Sequence, residues 1–170
     1  YRVHEGYHYP RSIPTARECR DSASSFLKYY KQSIVPKRNG IKHYYAIASQ
    51  ASMTDPANFI AAMGAVGLQF KKVKPMQGTD LMVEVEENIF DPASLTSIVK
   101  NRLKGAGVEL RLGKTATEDD LKGFDFTIIA TYANLNDWCV DKQKYQYELC
   151  EKPVLKLPDI YHMKSVVVMD

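Results

Sequence analysis

The stretch Val83-Glu-Val-Glu-Glu-Asn-Ile-Phe-Asp91-Pro92, continuing through Leu95, Ile98, Val99 and Leu103 to Gly105-Ala-Gly107 and Val108-Glu-Leu-Arg-Leu112, decides how this chain is read. Val83 and Val85 alternate with Glu84 and Glu86, the period of a half-buried strand. Asp91-Pro92 then opens a helix, because the aspartate accepts from free first-turn amides and proline at the first helical position sacrifices no hydrogen bond. A glycine, Gly105 or Gly107, closes that helix, and Val108 to Leu112 reads as a second strand. Farther on, Phe124-Asp-Phe-Thr-Ile-Ile-Ala-Thr131 has the apolar content of a buried strand and ends at Tyr132-Ala-Asn-Leu-Asn136. Strands of open α/β sheets deliver their carboxyl ends to a ligand crevice, so Ala130, Thr131 and Tyr132 become candidates for lining one.

The same grammar recurs upstream. Thr15 and Glu18 have the spacing of a capping box, followed by Cys19, Ala23, Phe26, Leu27, Tyr30 and Ile34 in one apolar stripe. Pro36 and the cluster to Gly40 end this helix, and His43-Tyr-Tyr-Ala-Ile-Ala48 reads as a strand. Asp55-Pro56 begins another helix, with Phe59, Ile60, Met63 and Val66 inward and Gly67 as its stop, then a strand over Leu68 to Val73. The two Asp-Pro, helix, glycine, strand units look alike, a likeness that helix-start and helix-stop chemistry produces without duplication. Near the end, Tyr145 to Leu157 and Lys164 to Met169 are strand candidates, and Ser165-Val-Val-Val-Met169 has the look of a strand buried on both faces.

Composition bounds the rest. In 170 residues, 45% are hydrophobic and 25% charged, enough for one domain with a core or two small lobes. A net charge of +3, with lysines and arginines dispersed, argues against a nucleic-acid partner. Cys19, Cys139 and Cys150 are odd in number and lack metal-ligand spacing, which favours reduced thiols and a cytoplasmic setting over a disulfide framework. No apolar run reaches transmembrane length, so no membrane partner is expected. His4, His43 and His162 show no ligand spacing, and no metal is expected.

Several segments in fixed order resemble FAD-dependent oxidoreductases of the D-amino-acid-oxidase-like superfamily: Glu5-Gly6 followed by His8-Tyr-Pro-Arg-Ser12, Glu86 to Leu95, Gly107-Val-Glu-Leu110, Asp125 to Tyr132, and Tyr145-Gln-Tyr-Glu-Leu149. The resemblance implies an α/β fold of mixed α+β character, with a partial FAD-binding lobe (residues 1–43 and 91–138) and a mixed or antiparallel substrate-lobe sheet (residues 44–90 and 139–170). It implies FAD contacts from Tyr9, Arg11, Ser12, Ala130, Thr131 and Tyr132, and substrate contacts from Arg11 and Tyr44. His8 and Arg11 are the candidates for catalysis. Small-molecule oxidation, of an amine or amino-acid-like substrate, is the implied activity.

The family's Gly-x-Gly-x-x-Gly turn between strand and helix is not found here: Gly105-Ala-Gly107 follows a helix and precedes a strand, the reverse context. The family's C-terminal flavin-holding segment has no counterpart either, so the chain reads as an internal fragment, inactive and weak in FAD binding on its own. Without the strand that carries the glycine turn, an exposed sheet edge near Ile128 and Ile129 is expected to favour homo-oligomers. Two other readings stay open. One is a non-catalytic α/β binding or interaction module without flavin, and the other a small independent enzyme around Arg11, His8 and Tyr44. Arg11 itself reads as a carboxylate binder or, more readily, as an ordinary surface or salt-bridged arginine, and His8 as a reactive residue or, more readily, a packing one.

Overall fold

A computed structural model of the chain describes all residues except 37–39, 147–152, 154 and 170. It divides into two units, one of Tyr1–Val108 with Leu157–Asp170 and one of Glu109–Lys156. In chain order the elements are β1 (Arg2–Val3), α1 (Ile13–Tyr30), β2 (Lys42–Ala48), α2 (Pro56–Val66), β3 (Lys71–Val73), β4 (Thr79–Val85), β5 (Asn88–Ile89), α3 (Pro92–Gly105) and β6 (Lys164–Met169), with short 3-10 turns between some of them. Helices combined with mixed and antiparallel sheets make this an α/β fold.

The first unit is built on a four-stranded sheet in the order β3-β4-β2-β6. β2 runs antiparallel to β4, with Tyr45 opposite Val83, and parallel to β6, with Tyr45 opposite Val167. Strand alternation sends Tyr45, Ile47, Leu81, Val83, Val85 and Met169 to one face, where they meet Ala16 of α1 and Phe59, Ala62, Met63 and Val66 of α2. Phe59, Met63 and Val66 are essentially inaccessible to solvent, each contributing about 1.5–3 kcal/mol of apolar burial. The opposite face carries a smaller cluster of Tyr44, Ala46 and Met82, flanked by Val73, Met76 and Val166. A separate two-stranded ribbon pairs β1 with β5, Arg2 opposite Ile89.

The Asp-Pro helices form as the sequence indicates. Asp55 accepts from the amides of Ala57 and Asn58, and Asp91 from those of Ala93 and Ser94. Gly67 closes α2 in the left-handed conformation, its amide bonded back to Gly64 and Met63. Some expectations need correction. α1 starts at Ile13 rather than at a Thr15 cap, since Pro14 suits the first turn; Thr15 bonds Ser12 through its hydroxyl instead, and Ser12 makes no side-chain cap. Of residues 68–73 only β3 is strand, because Leu68 still bonds back to Met63 at the helix end. β6 is an edge strand with Val168 52% exposed, not one buried on both faces.

The largest correction concerns residues 108–112 and 124–131, neither of which forms a strand. Val108, Leu110, Leu112, Phe124, Phe126 and Ile128 are exposed, the last two at 93% each. Apolar alternation becomes a strand only where a sheet edge pairs with it, and among the described residues of the second unit there is no strand. That unit is ordered instead by local contacts: a capping box of Thr117 and Asp120 at a 3-10 turn, and Asn136 bonded to the backbone of Gln143. The strand expected over residues 145–157 falls mostly outside the described residues; those described there form none.

Candidate functional site

The chemically richest part of the first unit is where the segment before α1 meets the sheet. Beyond Val85 β4 ends, and Glu87 comes next at the inward parity of Leu81, Val83 and Val85, bringing a carboxylate to an apolar face. Its side chain is fully buried. Such a charge is tolerable only with partners. Arg2 Nη1 lies 3.2 Å from Oε2, the Tyr45 hydroxyl 3.0 Å from Oε2 and 3.2 Å from Oε1, and the Glu5 amide donates to Oε1 at 3.1 Å. Arg2, itself nearly buried, also donates to the Ser165 carbonyl (2.6 Å) and hydroxyl (2.8 Å) on β6 and covers the Tyr45 ring at 5.1 Å. One carboxylate thus ties β1, the following loop, β2 and, through Arg2, β6.

The loop then makes a close passage. Gly6 has φ +109°, and a Cβ there would sit 2.4 Å from the Ala16 carbonyl oxygen, so only glycine lets the loop lie against α1. Tyr7 follows, stacked on Tyr45 with ring centres 5.6 Å apart and donating to the Gln69 carbonyl. Burial, reinforced by Glu87, pushes the Tyr45 hydroxyl well above its ordinary pKa, with Arg2 opposing. Burial and Glu5 do the same to Tyr7. Both phenols therefore remain protonated donors.

His8 stands at the outer edge of this cluster. It is accessible to solvent, yet its ring meets Tyr9 at 5.4 Å and Tyr45 at 6.4 Å, edge to face, and His4 at 5.9 Å. The loss of solvent on the packed side, then the neighbouring His4, hold its pKa below the usual imidazole value, while Glu87 pulls the other way. A neutral imidazole at neutral pH can accept a proton.

Tyr9, Arg11 and Ser12 continue the same loop into α1. Tyr9 is partly exposed, and its carbonyl accepts the Ser12 amide. Arg11 is exposed; its Nη1 lies 3.1 Å from the Met53 sulfur, a weak acceptor, and it makes no ion pair among the described residues. Tyr44 lies on the other face of the sheet from Tyr45, buried, with its hydroxyl 3.4 Å from Glu84 and its pKa raised by burial and by that carboxylate. The loop residues are thus gathered together with Tyr45, whereas Tyr44 faces away from them. Ala130, Thr131 and Tyr132 belong to the second unit, where all three are exposed; Tyr132 adopts φ +52° and is 94% accessible, and Thr131 accepts the Asn134 amide.

Arg2, Tyr45 and Glu87 are site residues that the sequence reading passed over, although parity marks two of them. Once Val83 and Val85 are taken as inward, Glu87 is inward as well; on β2 the inward partner of Val83 is Tyr45 rather than Tyr44. Arg2 gave no comparable signal, because its partners lie 85 and 163 residues away.

An FAD pyrophosphate needs free amides and positive charge. The starts of α2 and α3 do not fit it, since their first-turn amides already hold the carboxylates of Asp55 and Asp91. The start of α1 fits better: its first turn has no acidic residue, Ser12 leaves the Ile13 and Thr15 amides uncapped, Pro14 between them having none to offer, and Arg11 adjoins it. Among the described residues no group of three or more His, Cys, Asp or Glu is placed to hold a metal ion, Cys19 and Cys139 are free thiols, and no helix is long and apolar enough to cross a membrane.

Comparison with known proteins finds a Fusarium mangiferae protein named FAD-dependent monooxygenase FPY4, to which the chain is 28% identical over 152 residues. The match covers 81% of this chain but 39% of that protein, so the chain corresponds to well under half of its relative. No protein-family model matches the chain, and no solved structure matches it.

Proposed function

We propose that this chain is part of an FAD-dependent oxidoreductase, of the D-amino-acid-oxidase-like type, that oxidises an amine or amino-acid-like substrate. The observation that carries the reading is the likeness, over most of the chain, to a protein named as an FAD-dependent monooxygenase. The loop into α1 supports it. Arg11 is a solvent-facing guanidinium with no ion pair among the described residues, suited to a two-point contact with a carboxylate or phosphate, and Ser12 precedes uncapped helix amides. His8 is held neutral nearby and can take up a proton from a bound amine.

In this reading Tyr9, Arg11 and Ser12 contact the cofactor, and Arg11 the substrate. The flavin, when bound, accepts the two electrons of the oxidation, and the protein supplies orientation and electrostatics. The test is to purify the polypeptide that carries this chain, release any cofactor by denaturation and identify it by mass. FAD, recovered directly or after reconstitution, is expected. A colourless protein that takes up no FAD would overturn the reading.

A further inference from the structure

We propose that Glu87 is the positioning residue of the loop that carries His8, Arg11 and Ser12. That this loop faces a ligand rests on the function proposed above; that Glu87 fixes its place does not. The carboxylate is fully buried and takes its donors from three separate parts of the chain: Arg2 on β1, the Glu5 amide at the root of the loop, and the Tyr45 hydroxyl on β2. Only the Glu5 contact is to the loop backbone itself, and it lies immediately before Gly6, the residue that seats the loop against the Ala16 carbonyl. Tyr45 extends the same control outward, because its ring stacks on Tyr7 and meets the edge of His8. A buried, multiply bonded carboxylate has one acceptable geometry, so every group bonded to it is held in register with the sheet. Glu87 touches no substrate in this account. It acts through Glu5, Tyr7 and Tyr45 on the residues that do.

The sign of one titration separates positioning from simple electrostatics. His8 feels two opposed influences: packing in the cluster, together with His4 and Arg2, lowers its pKa, while the Glu87 charge raises it. If Glu87 only supplies charge, Glu87→Gln leaves the ring where it is and the His8 midpoint falls. If Glu87 holds the loop, the variant frees the ring from its packing and the midpoint rises toward the ordinary imidazole value.

The experiment follows the His8 ring by NMR across a pH series, with hydrogen exchange read at residues 5–12 and, as an internal reference, in α2. For Glu87→Gln we expect an upward shift of the His8 midpoint and exchange at least tenfold faster in the loop than in the wild type, with a smaller change in α2. Tyr45→Phe, which removes one donor but keeps the ring, should shift both readouts in the same direction by less, and keeps the test available should Glu87→Gln fold poorly. A downward midpoint, or loop and α2 accelerating by the same factor, would overturn the proposal. In the flavin-loaded protein Glu87→Gln should also lower kcat/KM at least tenfold. If the wild-type protein holds no flavin, the proposed function fails, and the His8 midpoint and loop exchange still decide the role of Glu87.

Discussion

Replacing Arg2 and Glu87 singly and together measures how far this structure depends on one buried ion pair. Glu87 is fully buried and Arg2 is 8% exposed, so Glu87→Leu strands a guanidinium and Arg2→Met strands a carboxylate in a region with little solvent to screen either. Breaking a buried pair from one side costs about 3–5 kcal/mol. The double variant removes both charges but leaves the Tyr45 hydroxyl and the Glu5 amide without their acceptor, at about 1–3 kcal/mol each, a loss that Glu87→Leu alone already carries and that cancels in the comparison. The coupling energy, the excess of the summed single losses over the double, should therefore exceed about 3 kcal/mol. An exposed pair such as Lys122 with Asp119, at 77% and 84% exposure, would give about 1 kcal/mol or less. Urea unfolding followed by circular dichroism on the four proteins supplies the numbers. A coupling below about 1 kcal/mol would refute the claim that this pair organises the segment before α1.

Three further outcomes follow from the same geometry. Gly6→Ala places a Cβ against the Ala16 carbonyl at a φ that disfavours any side chain; strain of about 1–3 kcal/mol, before any displacement of α1, should appear as a lower urea midpoint, whereas an unchanged midpoint would mean the loop is not seated on α1. Arg11→Ala in the flavin-loaded protein should reduce turnover of carboxylate substrates while leaving thermal stability nearly unchanged, with Arg11→Lys recovering only part; equal losses of activity and stability would make it a structural residue. Because the His8 pKa is lowered on folding, the folded protein binds fewer protons than the unfolded chain between that lowered value and the ordinary one of 6.5; stability should fall as pH drops through this window, and His8→Gln should flatten the decline.

Legibility in the sequence tracked how local the governing physics was. The two Asp-Pro helix starts, the Gly67 stop and the β2 strand follow from residues within a few positions of one another, and the structure shows each of them. Residues 124–131 failed as a strand because alternation of Phe124, Phe126 and Ile128 expresses a capacity to pair, and pairing depends on a neighbour that local sequence does not specify. The site divided in the same way. His8, Tyr9, Arg11 and Ser12 were found together because one short loop carries them. Arg2, Tyr45 and Glu87 meet only through sheet register, and a one-residue change of parity on β2 exchanges Tyr44, on the far face, for Tyr45, which holds the carboxylate.

The most direct measurement is anaerobic mixing of the flavin-loaded protein carrying this chain with a panel of amines and amino acids, followed by the visible absorbance of the oxidised flavin. The account requires bleaching by at least one member of the panel without added nicotinamide, and weaker bleaching by carboxylate-bearing members in Arg11→Ala. A protein that binds no flavin, or whose flavin no amine or amino acid reduces, would contradict it.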